Sequence, residues 1–357
     1  MRTSRGSELD FKRAAFAALL LLVALLPSSP LRATDLVLDH ASGFVIPVQV
    51  NGHTLRLRVD TGANGVIVLN PEAAERVGLR ELPGNENLAL ALGIGAAART
   101  DETQRPMLDD VPVVSAPTTR TAAQQNPIRP FILLGPLLAQ GKFGIARTSI
   151  GGSTGSKLFA WFDDPAVTDV DGLISPAELP YSNVTLRLSP SQSGERTVSM
   201  DGQYTPLSGF TVPIPVYGHI VNVKLSVVEP FSVATAGAGS AIAQTHQGAW
   251  AGDLRAHHIA LGVLRPVRPM VLRRAMDVRG LRVSDFLVRV RDNGGRLKLP
   301  EVQATIATDP DEIVVVAPSA NQPVRFLLVL GTDQLGSCSS VTYQRRSVRL
   351  LVRCSGK

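Results

Sequence analysis

The sequence predicts an all-β protein built from two similar lobes, and three observations carry that expectation. Short β-branched runs such as "FVIPVQV", "LRLRV", "IVVVA" and "VRLLVRC", bounded by Gly, Pro, Asn or Ser, recur along the chain, while long helical periodicity is rare. Hydrophobic residues make up 44% of the chain against 18% charged, which excludes a disordered polymer and supplies material for a real core. Third, the 357 residues contain an internal repeat, and at about 150 residues per domain that length suits two units.

The repeat sets "SGFVIPVQVNGH", starting at Ser42, against "SGFTVPIPVYGH", starting at Ser208. The two agree at Ser, Gly, Phe, Pro, Val, Gly and His, at a constant offset of 166. Each copy reads as an alternating strand, a Gly-containing hairpin turn and a returning apolar strand. Later segments keep the same order: "VDGLISPAEL" matches "FLLVLGTDQL", and the hairpin-like "YSNVTLRLSP" and "VTYQRRSVRLLV" follow. The returning strand of the first copy ends in "RVDTGANGVIVLN" and that of the second in "FSVATAGAGSAIAQ". Laying "VDTGA" on "VATAG" makes the second longer by eight residues. It puts Ala234 where Asp60 stood, Thr235 on Thr61 and Ala236 on Gly62, so the repeat is expected to keep the strand and lose the carboxylate.

The expected organisation is a signal peptide over 1–33, a first lobe over 34–200 and a second over 201–357. Arg2, Arg5, Lys12 and Arg13 precede the apolar run "AAFAALLLLVALL", which stops at "PSSPLRA" with Ala33 as a small residue at a cleavage site. The run is shorter than the ~20 residues of a membrane span. An uncleaved anchor is the alternative, and export to the periplasm or the exterior follows from either. Loss of this segment removes five basic residues (with Arg32) and two acidic ones, Glu8 and Asp10, taking the formal charge from +6 to +3. The remaining basic residues are scattered and lack aromatic interleaving, which argues against a nucleic-acid partner. Cys338 and Cys354 fall opposite each other if the last hairpin turns at Arg345, Arg346 and Ser347, and an oxidising compartment then permits a disulfide; two free thiols are the alternative. No spacing suits a metal, "HH" at His257 and His258 included, and no cofactor is expected.

The run "IPVQVNGHTLRLRVDTGANGVIVLNPEAAERVGL" resembles the opening of a retropepsin-like aspartic protease lobe, and two such lobes resemble the pepsin-like plan. The resemblance implies two acid-protease β-barrel lobes related by a pseudo-twofold duplication, with a few short helices. It implies Asp60 as the catalytic carboxylate, supported by Thr61, Gly62, Ala63 and Asn64, and a flap at Gly93, Ile94 and Gly95. Two close carboxylates sharing a proton would activate water and protonate the substrate, because like charges a few ångströms apart cannot both ionise. Thr61 would bond across the lobe interface, Gly62 would let backbone amides approach the carboxylate, and Asn64 would donate to it.

Three departures bear on activity: Ala234 in the second lobe, Ser175 where the family has glycine, and an insertion containing "TTRTAAQQNPIRP". Nothing in the sequence brings Glu229 or Asp253 to the dyad axis; Asp171 and Asp333 read as turn or helix-cap acids, and His53 and His219 as surface residues after the turn glycines. The expected function is an exported endopeptidase acting through Asp60 on a peptide or protein in the interlobe cleft. The alternative is an inactive pseudoprotease that binds a peptide or ligand in the cell envelope; oligomeric state is left open.

Overall fold

A computed structural model describes residues 35–82, 131–134, 137–262, 264–290 and 324–355. The expected signal peptide, the flap residues Gly93, Ile94 and Gly95, and the insertion at 118–130 lie outside the described residues.

After β1 (Leu36–Asp39), β2 (Val45–Val50) and β3 (His53–Val59) form the first hairpin. Ile46, Val48 and Val50 on β2 and Leu55, Leu57 and Val59 on β3 are buried, and the residues between them face outward, the period of two expected of a strand with one face on a core. Asn51 and Gly52 turn the chain with φ of 48° and 86°, the pair of left-handed residues that a two-residue hairpin loop requires. Then come β4 (Ile67–Leu69), α1 (Pro71–Arg76), β5 (Phe131–Leu134), β6 (Leu137–Ile150), β7 (Ser153–Phe162) and β8 (Gly172–Ile174). The sheet runs β2-β3-β8-β4-β7-β6, with β5 outside β6. Gln49 opposite Ser149 and Val50 opposite Thr148 bring β6 back to β2, closing a six-stranded barrel.

Next come β9 (Asn183–Arg187), β10 (Glu195–Asp201), β11 (Gln203–Thr205), β12 (Gly209–Val216), β13 (His219–Leu225), β14 (Val233–Ala234) and α2 (Ala236–His246). They are followed by β15 (Gly248–Trp250), β16 (Arg255–His258), β17 (Leu264–Val278), β18 (Leu281–Arg289), β19 (Leu327–Leu330), α3 (Thr332–Leu335), β20 (Cys338–Gln344) and β21 (Arg349–Ser355). The second sheet runs β12-β13-β19-β14-β18-β17, with the same alternation of antiparallel and parallel pairings as β2-β3-β8-β4-β7-β6. Among the described residues no pairing of β17 with β12 closes this sheet. Pro215 stands 166 residues after Gln49, the position that joins β2 to β6, and a proline has no N–H to offer a closing strand.

A third sheet, β1-β9-β20-β21-β10, gathers the beginning, middle and end of the chain. The expected lobe boundary after residue 200 falls at the end of β10, inside this sheet. One buried cluster runs from Val48 and Leu57 through Leu186 and Met200 to Val223, Leu328 and Val352, so both halves share a continuous core. The all-β expectation holds, with helices confined to short segments.

Cys338 and Cys354 face each other across β20 and β21 and are joined by a disulfide 16 residues apart in sequence. A crosslink closing a loop of that size lowers the entropy of the unfolded chain by about 3 kcal/mol at 25 °C. The double variant Cys338→Ser/Cys354→Ser should therefore lose about 2–4 kcal/mol in a urea unfolding curve.

Candidate active site

β3 delivers Asp60 to the floor of a cleft, where Asp60 N donates to Ile174 O of β8 at 3.1 Å. In the other half β13 ends one residue before Ser226, and Ser226 N donates to Leu330 O of β19 at 2.8 Å. The hairpin registers agree (Val50 opposite His53, Val216 opposite His219), as do the strand ends (Val59 beside Ile174, Leu225 beside Leu330). The offset of 166 therefore runs unbroken to the loop, and the counterpart of Asp60 is Ser226.

The expected eight-residue extension is absent, and Ala234, although it borders the same cavity as Asp60, is not its register counterpart. Ala234 lies on β14 opposite Leu328, the register position that Leu69 holds against Gly172 on β4. Thr235 is the N-cap of α2, accepting from Ala238 N, and Ala236 is the helix's first residue. Counted from Ser226, the second loop is one residue shorter than the first. The letters shared by "VDTGA" and "VATAG" have different origins: the first is a loop around a carboxylate, the second a strand end and helix cap.

Ser226 Oγ donates to Asp60 Oδ2 at 2.9 Å, and Val227 N donates to Asp60 Oδ1 at 2.8 Å. The backbone of Gly62 supplies a further hydrogen bond to the carboxylate. A Cβ at Gly62 would lie 2.9 Å from Ser226 Cβ and 3.1 Å from Asp60 Oδ2, so close approach of the two loops requires glycine here. Thr61 Oγ1 donates across the interface to Leu225 O at 2.6 Å, and Ala63 N closes the turn onto Asp60 O at 3.1 Å. Asn64 is not a donor to the carboxylate: its Oδ1 accepts from Lys224 Nζ at 2.8 Å. Ser175 caps a 3-10 turn by accepting from Ala177 N, which accounts for a hydroxyl residue there.

Asp60, Ser226 and Lys224 are all buried, and Asp60 borders a cavity of about 200 Å³ together with Lys224, Ser226, Glu229, Arg289, His257 and His258. Burial pushes the Asp60 carboxyl above its ordinary value, opposed by the bonds from Val227, Ser226 and Gly62 and by the Lys224 charge. Glu229 reaches this cavity, against the expectation from sequence. Burial, and then the charge of Asp60, push its carboxyl up to about 7. Of the other acids, Asp171 accepts from Arg56 N and pairs with Arg76, Asp333 accepts from Ser232 N and Oγ, and Asp253 is exposed. His53 and His219 are exposed, the latter stacked on Phe326.

Residues 46–113 match the family model described as aspartyl protease. The matched segment contains β3 and the loop that carries Asp60. Among solved structures, the chain is similar to the retroviral protease-like domain of Ddi1 from Leishmania major. The likeness has 16% identity over 37% of this chain and 70% of that one, with a TM-score of 0.18. A search of curated proteins gave no match.

Because the fold holds the Glu229 carboxyl above its unfolded value, the native state keeps a proton there that the unfolded chain releases between pH 4.5 and about 7. Stability from this group is complete below pH 4.5 and is lost as pH rises through about 7. Glu229→Gln, which never ionises, should therefore gain about 3 kcal/mol over the native protein at pH 8 relative to any difference at pH 4, measured by denaturant unfolding at both.

Proposed function

We propose that the protein is an aspartic-type endopeptidase in which Asp60 activates a water molecule against a peptide bond held in the cleft. The observation that carries this reading is the buried Asp60 carboxylate, held by donors from the opposite half and open to a cavity. Such a group works as a general base in a site that excludes bulk water, and a positioned base or acid contributes about 100- to 10,000-fold to rate. The matching pairing order of the two large sheets and the repeated "SGF" hairpins support descent of both halves from one duplicated unit. Residues 1–33 support export to the periplasm or the exterior, by a cleaved signal or a retained anchor.

Ser226 in the place of the second aspartate favours a second reading, in which the chain binds a peptide or ligand without turnover. Asp60→Asn separates the two. Asparagine has the same shape and keeps one oxygen to accept from Val227 N or Ser226 Oγ, and circular dichroism checks that the variant is folded. For a peptidase, cleavage of an unfolded protein substrate should fall at least about 1,000-fold. Undiminished cleavage by the variant would refute Asp60 as the base; peptide binding without products in either form would establish the binding module.

A further inference from the structure

We infer that Glu229 is the second catalytic carboxylate, the acid partner of Asp60, supplied three residues after the position at which the second half carries Ser226 instead of aspartate. The inference rests on the peptidase reading above and deepens it. Its basis is placement. Glu229 and Asp60 border the same cavity from opposite halves of the molecule, and Glu229 lies close enough for the Asp60 charge to bear on it. The segment that carries it is held at both ends: Ser226 Oγ accepts from Glu229 N at 3.0 Å and from Val228 N at 3.3 Å, while Glu229 O accepts from Thr332 N at 2.8 Å. A Cβ at Gly331 would come within 2.7 Å of Glu229 O, so that glycine lets the β19 end pack directly under the segment. Ser226 is thus a positioning residue, tying Asp60 and the Glu229 backbone to one hydroxyl.

The environments divide the roles. Burial raises both carboxyls, but at Asp60 three donors and the Lys224 ammonium oppose the rise, whereas at Glu229 a neighbouring negative charge adds to it. The other charged or titratable groups facing the cavity are Lys224, Arg289, His257 and His258. In this division of roles Asp60 is the carboxylate and Glu229 the acid. Asp60 takes a proton from water as the water oxygen bonds to the peptide carbonyl carbon; the carbonyl π pair moves to its oxygen, which takes the Glu229 proton. In the neutral diol that results, Asp60 returns its proton to the amide nitrogen and the C–N bond breaks with its electron pair on nitrogen. Glu229 recovers a proton from a diol hydroxyl, leaving an acid, an amine and both carboxyls as they began.

The test compares the full chain with Asp60→Asn and Glu229→Gln, using an internally quenched peptide from about pH 3 to pH 9 and ¹³C titration of the Asp60 carboxyl. Circular dichroism checks that each variant is folded. The expected result is loss of cleavage in Asp60→Asn and a fall of about 100-fold or more in Glu229→Gln. The native falling limb near neutral pH should vanish from the residual rate of Glu229→Gln, and Asp60 should change from a coupled two-step titration to a single step. Unchanged rate and unchanged Asp60 titration in Glu229→Gln, with Asp60→Asn dead, overturn the inference and leave the peptidase reading standing. Full activity in Asp60→Asn, or a native chain that cleaves nothing in this range, overturns both.

Discussion

The structure depends on one buried carboxylate whose hydrogen-bond donors come largely from the other half of the molecule. Asp60 arrives on β3, yet two of its three donors, Ser226 Oγ and Val227 N, belong to the loop after β13. Thr61 sends its hydroxyl the other way, to Leu225 O. Removed from water, a carboxylate without these partners would cost several kcal/mol, so the two sheets must meet in one register for the carboxylate to be tolerated. The constraint reaches outward: Gly62 keeps the loops close, and the shared sheet of β1, β9, β10, β20 and β21 holds the halves together beneath them.

Much of this frame was legible in the sequence because it depends on local rules. The hairpins at Asn51-Gly52 and Tyr217-Gly218 announce themselves through the turn residues and through the period of two on either side. The "DTG" loop is recognisable because a threonine donor and a glycine without Cβ are both needed around a buried acid. What misled was letter similarity over a stretch where two physical demands produce the same small residues. In α2, Gly237 and Gly239 are small because Val324 and Val288 pack against them, and Thr235 is a helix cap. Carrying the offset of 166 without a gap would have found Ser226. Glu229 had no such signal, since its position depends on a loop anchored locally by Ser226 Oγ and, from a distant part of the chain, by Thr332 N.

The two halves share a pairing order but differ in closure: in the second, β11 pairs with β12, and β15 and β16 pair with β17, at the edges that would have to meet. Gln49 joins β2 to β6, while Pro215 at the same offset offers no donor. The first half thus closes six strands into a barrel, with β5 outside β6. On the side of the second half, the cavity wall is mostly apolar, with Phe231, Val233, Leu261 and Val329 beside Arg289 and His257.

Serine rather than aspartate at position 226 also has an electrostatic logic. A carboxylate in that place could donate to Asp60 only while protonated, so the bond would come and go with pH. Serine donates at every pH and, through the same oxygen, accepts from the amides of Val228 and Glu229. That makes the bond between the loops independent of titration and moves any second acid to the end of the segment, where it meets the cavity instead of Asp60 head-on. Lys224 stands 166 residues after Arg58, which pairs with Asp169 at the surface; Lys224 is buried near Asp60. One ammonium near the Asp60 carboxylate offsets part of the cost of burying that charge.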